Sequence, residues 1–214
     1  MSAGRFITLE GIEGAGKSTV AKFVSAWLGG HGIAVRLTRE PGGTPLAERI
    51  RQIVLERGAE ALAPVTEALL MFAARAQHVQ HVIGPALARG EWVVCDRFTD
   101  ATRAYQGSGR GVDAALIETL AGAVHAGLEP DCTLLLDLPV AAGLARARAR
   151  TSSGADRFEA ETTAFFEKVR AGYLALARAN PHRFRIIDAT LPLDAVERRV
   201  GEILAGLLAG RVPT

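Results

Sequence analysis

Residues Gly11-Ile12-Glu13-Gly14-Ala15-Gly16-Lys17-Ser18-Thr19 satisfy the spacing G-x-x-x-x-G-K-[ST]. Side chains of these types at these intervals hold a nucleoside triphosphate. Glycines let main-chain N–H groups point at phosphate oxygens, and a following helix adds the partial positive charge of its N-terminus. Gly11, Gly14, Ala15, Gly16 and Thr19 are thus candidate phosphate contacts, Lys17 should reach the β and γ phosphates, and Ser18 should ligate Mg²⁺. A second cluster is Asp96-Arg97-Phe98. An Asp that ends an apolar strand beside such a loop can hold Mg²⁺ directly or through water, and the adjacent arginine can fork a phosphate. A pair that merely caps a strand is the competing reading. Arg39, in "TREPGG", lies near the end of another apolar run, at the carboxyl edge where ligands bind in open α/β sheets. Glu13 is out of keeping with its neighbours, a carboxylate inside a loop built for anions.

The elements that must position these groups follow from periodicity. Apolar runs at 5–10, 34–38, 91–96, 132–138 and 184–188 read as strands, and their near-continuous apolar character predicts burial on both faces. Helical patterns fill 16–29, 45–57, 64–89, 113–125, 139–150, 159–179 and 192–209, with Pro64 and Pro139 near two of the starts. Alternation of this kind predicts an α/β protein with a five-stranded parallel sheet flanked by helices. The polar stretch "TSSGAD" at 151–156, bracketed by arginines, reads as a mobile flap. With 214 residues and no linker or repeat, the chain is expected to form one domain over 1–214.

Composition narrows the function. A formal charge of +2, from 25 basic and 23 acidic residues, gives no bulk electrostatic argument for nucleic acid. No 18-residue apolar stretch predicts a membrane span, and the N-terminus lacks the pattern of a secretory signal. Cys95 and Cys132 sit in strand-like runs and read as reduced core residues, so a cytoplasmic location is expected. The sole asparagine, Asn180, is not in an N-K-x-D guanine-reading motif. What remains at this size is a nucleotide kinase, which needs a phosphorylated acceptor and arginines at strand ends to hold it.

Taken together, "GIEGAGKST", "TREPGGT", "LMFAAR", "DRFTDATRAYQGSGRG", "DRFEAE" and "IIDATLPLDAV" resemble bacterial thymidylate kinases, from about Phe6 to Val196. The resemblance implies a P-loop NTPase fold with a small flexible lid at about 146–161, ATP as phosphoryl donor, dTMP as acceptor, Mg²⁺ and a homodimer. It implies that Arg39 and Arg97 orient the dTMP phosphate and that Asp96 sits near the metal. In "LMFAARAQH" the family stacks an aromatic on thymine one turn before a base-binding arginine. Arg75 takes the arginine position, while Met71 or Phe72 is the stacker, since both spacings share a helix face. Thr102 and Gln106 match polar contacts to the thymine edge, Tyr105 matches a residue packed by the sugar, and Arg51 matches an arginine near the base side. Ala101 stands where many members carry serine, so that contact is missing here. Thr190, in "DATLPL", matches the loop that holds adenine. Some members carry a catalytic arginine inside the phosphate loop, and this chain does not. Arg150 and Arg157, on either side of the flap, are then the candidate arginine fingers, while Arg146 shares a helix face with Arg150 and Arg148 points nearly opposite. Glu13 would face the acceptor, near the dTMP 3′-hydroxyl.

Overall fold

The computed structural model describes residues 4–56, 58, 60–150, 157–158 and 161–210, with Arg150 in its backbone only. Five strands, β1 (Phe6–Glu10), β2 (Val35–Arg39), β3 (Trp92–Asp96), β4 (Cys132–Asp137) and β5 (Phe184–Asp188), form one parallel sheet in the order β2-β3-β1-β4-β5. The central strand pairs with β3 on one side (Leu9 opposite Asp96) and with β4 on the other (Glu10 opposite Leu135). Leaving β1, the chain crosses first to β2 and β3 on one side and later to β4 and β5 on the other. The loop after β1 therefore sits where strand order reverses, which is where open α/β sheets bind ligands.

Burial follows strand position. β1 is buried throughout and β4 throughout except Asp137, as expected of apolar runs covered on both faces. β2 differs from the expectation: Arg36, Leu37 and Arg39 are exposed, because it is an edge strand. Both cysteines are free and buried.

The helices are α1 (Lys17–Gly30), α2 (Pro45–Leu55), α3 (Pro64–His78), α4 (Gly84–Ala88), α5 (Thr99–Thr102), α6 (Ala114–His125), α7 (Val140–Arg150), α8 (Thr163–Ala179) and α9 (Leu193–Leu208). The single helix expected over 64–89 is interrupted by a π-helical turn at Val79–Ile83, just before Gly84-Pro85. Proline has no N–H to give the preceding turn, so the ladder must widen there. A second π-helical run, Arg103–Gly109, continues α5, in a stretch for which the sequence predicts no element. The flap 151–156 lies outside the described residues. No described helix is long and apolar enough to cross a membrane.

One hydrophobic cluster joins the β1 and β4 side chains to α1, α8 and α9, including Leu9, Leu134, Val24, Phe166, Tyr173, Val200 and Leu204. A smaller one, Ala68, Phe72, Val112, Ile117 and Ala121, joins α3 to α6. The opposite sides of α2 and α3 keep Leu46, Ile53, Val65 and Leu69 about half exposed.

Candidate active site

The phosphate loop leaves β1 at Gly11 and enters α1 at Lys17. Gly14 has φ 74°, and a Cβ on it would collide with the Gly143 carbonyl of α7, so only glycine fits this approach. Gly143 is close-packed in return: its own Cβ would come within 2.6 Å of the Glu13 carbonyl oxygen. α1 starts with no side-chain cap and no acidic residue in its first turn, which leaves its N–H groups to an anion. Lys17 Nζ donates to the carbonyls of Gly11 (3.1 Å) and Ile12 (2.9 Å). Burial, with Arg97 adding to the effect, brings the Lys17 ammonium down to about 8, against the opposing pull of Asp96, Glu13 and Glu10. Ser18 and Thr19 are exposed, and Ser18 Oγ donates to Asp96 Oδ2 at 3.0 Å. A hydroxyl beside a carboxylate is a hard-oxygen donor set that suits Mg²⁺ completed by phosphate and water. Among the described residues no cluster of three or more His, Cys, Asp or Glu could hold a metal by itself.

Arg97 follows Asp96 at the end of β3 with φ 75°, and it is the one positive-φ residue other than glycine among those described. A left-handed backbone at a Cβ-bearing residue costs on the order of 1–2 kcal/mol and persists only where the surroundings hold it. They do here. Its guanidinium donates to Gly11 O (3.1 Å), Tyr173 Oη (3.1 Å), Glu13 Oε1 (2.9 Å) and Tyr105 Oη (2.9 Å), and it lies over the Tyr105 ring. Tyr105 in turn donates to Glu13 Oε2 at 2.6 Å. The carboxylate that looked misplaced in the phosphate loop is thus neutralised from across the cleft.

Beneath Arg97 is a group the sequence reading missed. Glu10, the last residue of β1, is fully buried; Oε1 accepts from the Phe98 N–H (2.8 Å) and Oε2 from Tyr173 Oη (2.7 Å). Burial pushes its carboxyl up to about 8, with Asp100 adding to the rise and Arg97, Tyr173 and the Phe98 N–H opposing it. A glutamate closing an apolar strand was the available signal. Its partner, 163 residues later, could not be read from spacing.

The remaining candidates gather around one cleft of about 270 Å³, bordered by Glu13, Lys17, Arg39, Arg51, Met71, Asp96, Arg97, Tyr105 and Gln106. Met71 lines it. Phe72 instead belongs to the α3–α6 cluster, where its ring packs 4.8 Å from the Arg75 guanidinium, with Phe98 at 5.2 Å on the same group. Arg75 borders a small adjoining recess with Thr102. Its Nε donates to Glu40 (2.7 Å) and Nη2 to Phe98 O and Thr102 Oγ1 (both 3.1 Å), while Nη1 is buried with no hydrogen-bond partner. Glu40 is held also by His78 (2.9 Å), which bonds Thr38 through its other nitrogen. Thr102, Tyr105 and Gln106 stand at i, i+3 and i+4 on the α5–π run, so one helix face presents all three. Gln106 donates from Nε2 to Glu67 Oε1 at 2.6 Å, and its Oε1 is buried without a partner. Arg39 pairs with Glu48 (2.8 Å), and Arg51 donates to Pro41 O (3.1 Å).

The lid candidates separate. Arg157 Nη2 bonds Glu67 (2.6 Å) and Nε bonds Val54 O (2.9 Å), so this arginine is anchored to α2 and α3 beside the cleft, not brought to the phosphate loop. The side chain of Arg150 lies outside the described part of the structure. Arg148 is exposed, and Arg146 donates to Ala189 O (2.7 Å), in the turn that carries Thr190. Thr190 N–H donates to Asp188 at 2.8 Å, leaving this turn at the open edge after β5.

Comparison with known proteins finds relatives along nearly the whole chain. The family profile of thymidylate kinases matches residues 9–200. A thymidylate kinase of Pseudomonas putida (strain GB-1) is 56% identical over 96% of this chain and 97% of its own length. One from Methylococcus capsulatus is 54% identical over 99% of this chain and its full length. The crystal structure of the Ehrlichia chaffeensis thymidylate kinase superposes with a TM-score of 0.75 at 33% identity, covering 95% of this chain and all of that one.

Proposed function

Since the chain belongs to the thymidylate kinase family, we propose that this cleft holds dTMP against the phosphate loop, with the roles of its residues as follows. The reaction moves the γ-phosphoryl group of ATP to the 5′-phosphate of dTMP, giving dTDP and ADP on the way to dTTP. A dTMP phosphate oxygen attacks the γ phosphorus as its bond to the β–γ bridging oxygen breaks. Little covalent help is required, so catalysis is alignment and neutralisation of charge.

The ATP phosphates lie on the N–H groups of residues 11–19, with Gly11, Gly14, Ala15, Gly16, Ser18 and Thr19 around them and Lys17 across the transferring group. Their charge favours the Lys17 ammonium that burial disfavours. Ser18 and Asp96 would hold Mg²⁺, which when bound neutralises charge on the β and γ oxygens. Arg97 and Arg39 orient the dTMP phosphate. Glu13 turns to the sugar 3′-hydroxyl, Tyr105 packs by the sugar, and Met71 covers the thymine face with Arg51 at its rim. Arg75 Nη1 donates to a thymine carbonyl, with Thr102 steadying the guanidinium, and Gln106 meets the ring N–H. Phe72 acts through Arg75, as a ring behind the guanidinium. Thr190 and its neighbours border adenine, and Arg150 is the lid residue assigned to the transition state. The chain works as one domain in the cytoplasm, without nucleic acid or membrane. A second copy covers the apolar face of Leu46, Ile53, Val65 and Leu69 to form a homodimer.

The observation that carries this reading is the Arg97 fork, bonded at once to Gly11 of the phosphate loop, to Glu13 and to Tyr105. Donor loop and acceptor arginine are thereby set against each other before either substrate aligns. The test is ADP release measured against dTMP, dUMP, dCMP, dAMP and dGMP. The largest kcat/KM should belong to dTMP, and a preference for another acceptor overturns the assignment.

A further inference from the structure

We infer that Glu67, which does not itself line the cleft, is a specificity-determining positioning residue: it locks the Gln106 amide with its carbonyl oxygen toward the acceptor base, so that the pocket selects a ring N–H donor. The inference deepens the assignment of Gln106 to the thymine edge and rests on it. Glu67 lies in the first turn of α3, fully buried. Its Oε1 accepts from Gln106 Nε2 at 2.6 Å and its Oε2 from Arg157 Nη2 at 2.6 Å, with Arg110 Nε a further 3.4 Å contact to Oε2. A carboxylate engaged this way offers acceptors only, so the Gln106 amide has to turn its NH₂ inward. The carbonyl oxygen is what remains for the cleft that Gln106 borders, and it is buried with no partner inside the protein. In the adjoining recess another of the buried polar atoms without a partner, Arg75 Nη1, is a donor.

An acceptor in the cleft and a donor in the recess that adjoins it match the imide edge of thymine or uracil, a ring N–H next to a carbonyl. They oppose cytosine, which presents a ring nitrogen acceptor next to an amino donor. Buried polar groups left unpaired by the wrong base give the strongest discrimination available to a binding pocket. Glu67 thus reads the base through Gln106, and its second oxygen ties the same carboxylate to Arg157 at the root of the lid.

The substitution Glu67→Gln is informative because Arg157 constrains it. Facing two guanidiniums, the new amide must give them its carbonyl oxygen. Its NH₂ then faces Gln106, whose amide has to invert and point its own NH₂ into the cleft. The ratio of kcat/KM for dTMP to that for dCMP should fall at least about tenfold. The change should appear chiefly in KM, rising for dTMP and falling for dCMP. A merely structural loosening would lower both acceptors in parallel and leave the ratio alone. A folded Glu67→Gln protein with the wild-type ratio overturns the proposal. Gln106→Leu separates the two levels: if it leaves the ratio unchanged, the assignment of Gln106 to the base has failed, and the inference with it. If it collapses the ratio while Glu67→Gln does not, Glu67 alone is refuted. Should Glu67→Gln not fold, the Gln106 side-chain amide protons of the unaltered protein decide by ¹⁵N NMR. Amide protons that keep their shifts through saturation with dTMP support donation to Glu67, and a large shift on binding overturns it.

Discussion

The two sides of the cleft are built from different material. The side proposed for ATP offers, beside Lys17 and Ser18, mostly main chain: N–H groups of a glycine loop, an uncapped helix end and an exposed turn at Thr190. The side proposed for dTMP offers buried and part-buried side chains, Arg75, Glu40, His78, Arg97, Glu13, Tyr105, Gln106 and Glu67, each bonded to another. A phosphate chain is common to all nucleotides and can be held by backbone geometry. A particular base must be told from its neighbours, which requires donors and acceptors that cannot turn. Rigidity has been placed where discrimination is needed.

Arg97→Ala tests that contrast most severely. It should lower kcat/KM for dTMP by about 10³-fold or more, because it removes the proposed acceptor fork and leaves the Glu13 charge held by the Tyr105 hydroxyl without a guanidinium to neutralise it beside the phosphates. A loss below about tenfold would mean that the side-chain network is dispensable. ATP affinity, measured with a non-hydrolysable analogue, should change far less.

The buried Glu10 beneath Arg97 gives the next effect. The folded protein holds this proton up to about 8, whereas the unfolded chain releases it near the ordinary 4.5. The fold therefore binds more protons across that window, and stability falls as pH rises through it. The contribution is complete below about 4.5 and lost above about 8, on the order of a few kcal/mol. Denaturant melts from pH 5 to 8 should slope downward, and Glu10→Gln should flatten them; an unchanged slope would show that Glu10 is ionised in place.

A smaller effect isolates the backbone. Arg97→Gly and Arg97→Ala lose the same guanidinium, but only glycine adopts φ 75° without strain. In chemical denaturation the glycine variant should be about 1 kcal/mol the more stable. Equality would show that the left-handed turn relaxes once the side chain is gone. Smallest of all, Thr190→Ala should raise KM for ATP by no more than about twofold, since its loop is read as main chain. A tenfold rise would place a side-chain contact on the side where the comparison allows none.

The phosphate loop was legible because its spacing is local: nine consecutive residues that run from the end of a strand into the first turn of a helix. All five strands were legible too, since apolar runs need no partner to be recognised. The exposure of β2 was not, because an edge is a property of strand order and not of the strand itself. Met71 and Phe72 could not be separated by spacing. The structure turns one into the cleft and the other into the α3–α6 cluster, a difference decided by where α6 packs. Arg157 beside a polar flap suggested a finger; it is bonded to Glu67, a carboxylate 90 residues away that periodicity marked only as part of a helix. Glu10 and Tyr173 escaped for the same reason. Motifs reveal what is close in sequence, and the second layer of this site is assembled from what is far apart.

That separation bears on when the enzyme can exist. The phosphate loop is complete by Thr19, but the hydroxyl that joins Glu10 to Arg97 belongs to Tyr173. A ribosome makes the phosphate loop first and must translate on to Tyr173, 163 residues beyond Glu10, before Arg97 has this support. A chain cut short before α8 would carry the loop but not the tyrosine that steadies Arg97. Synthesis order therefore leaves the support of Arg97 among the later parts of the site to be made.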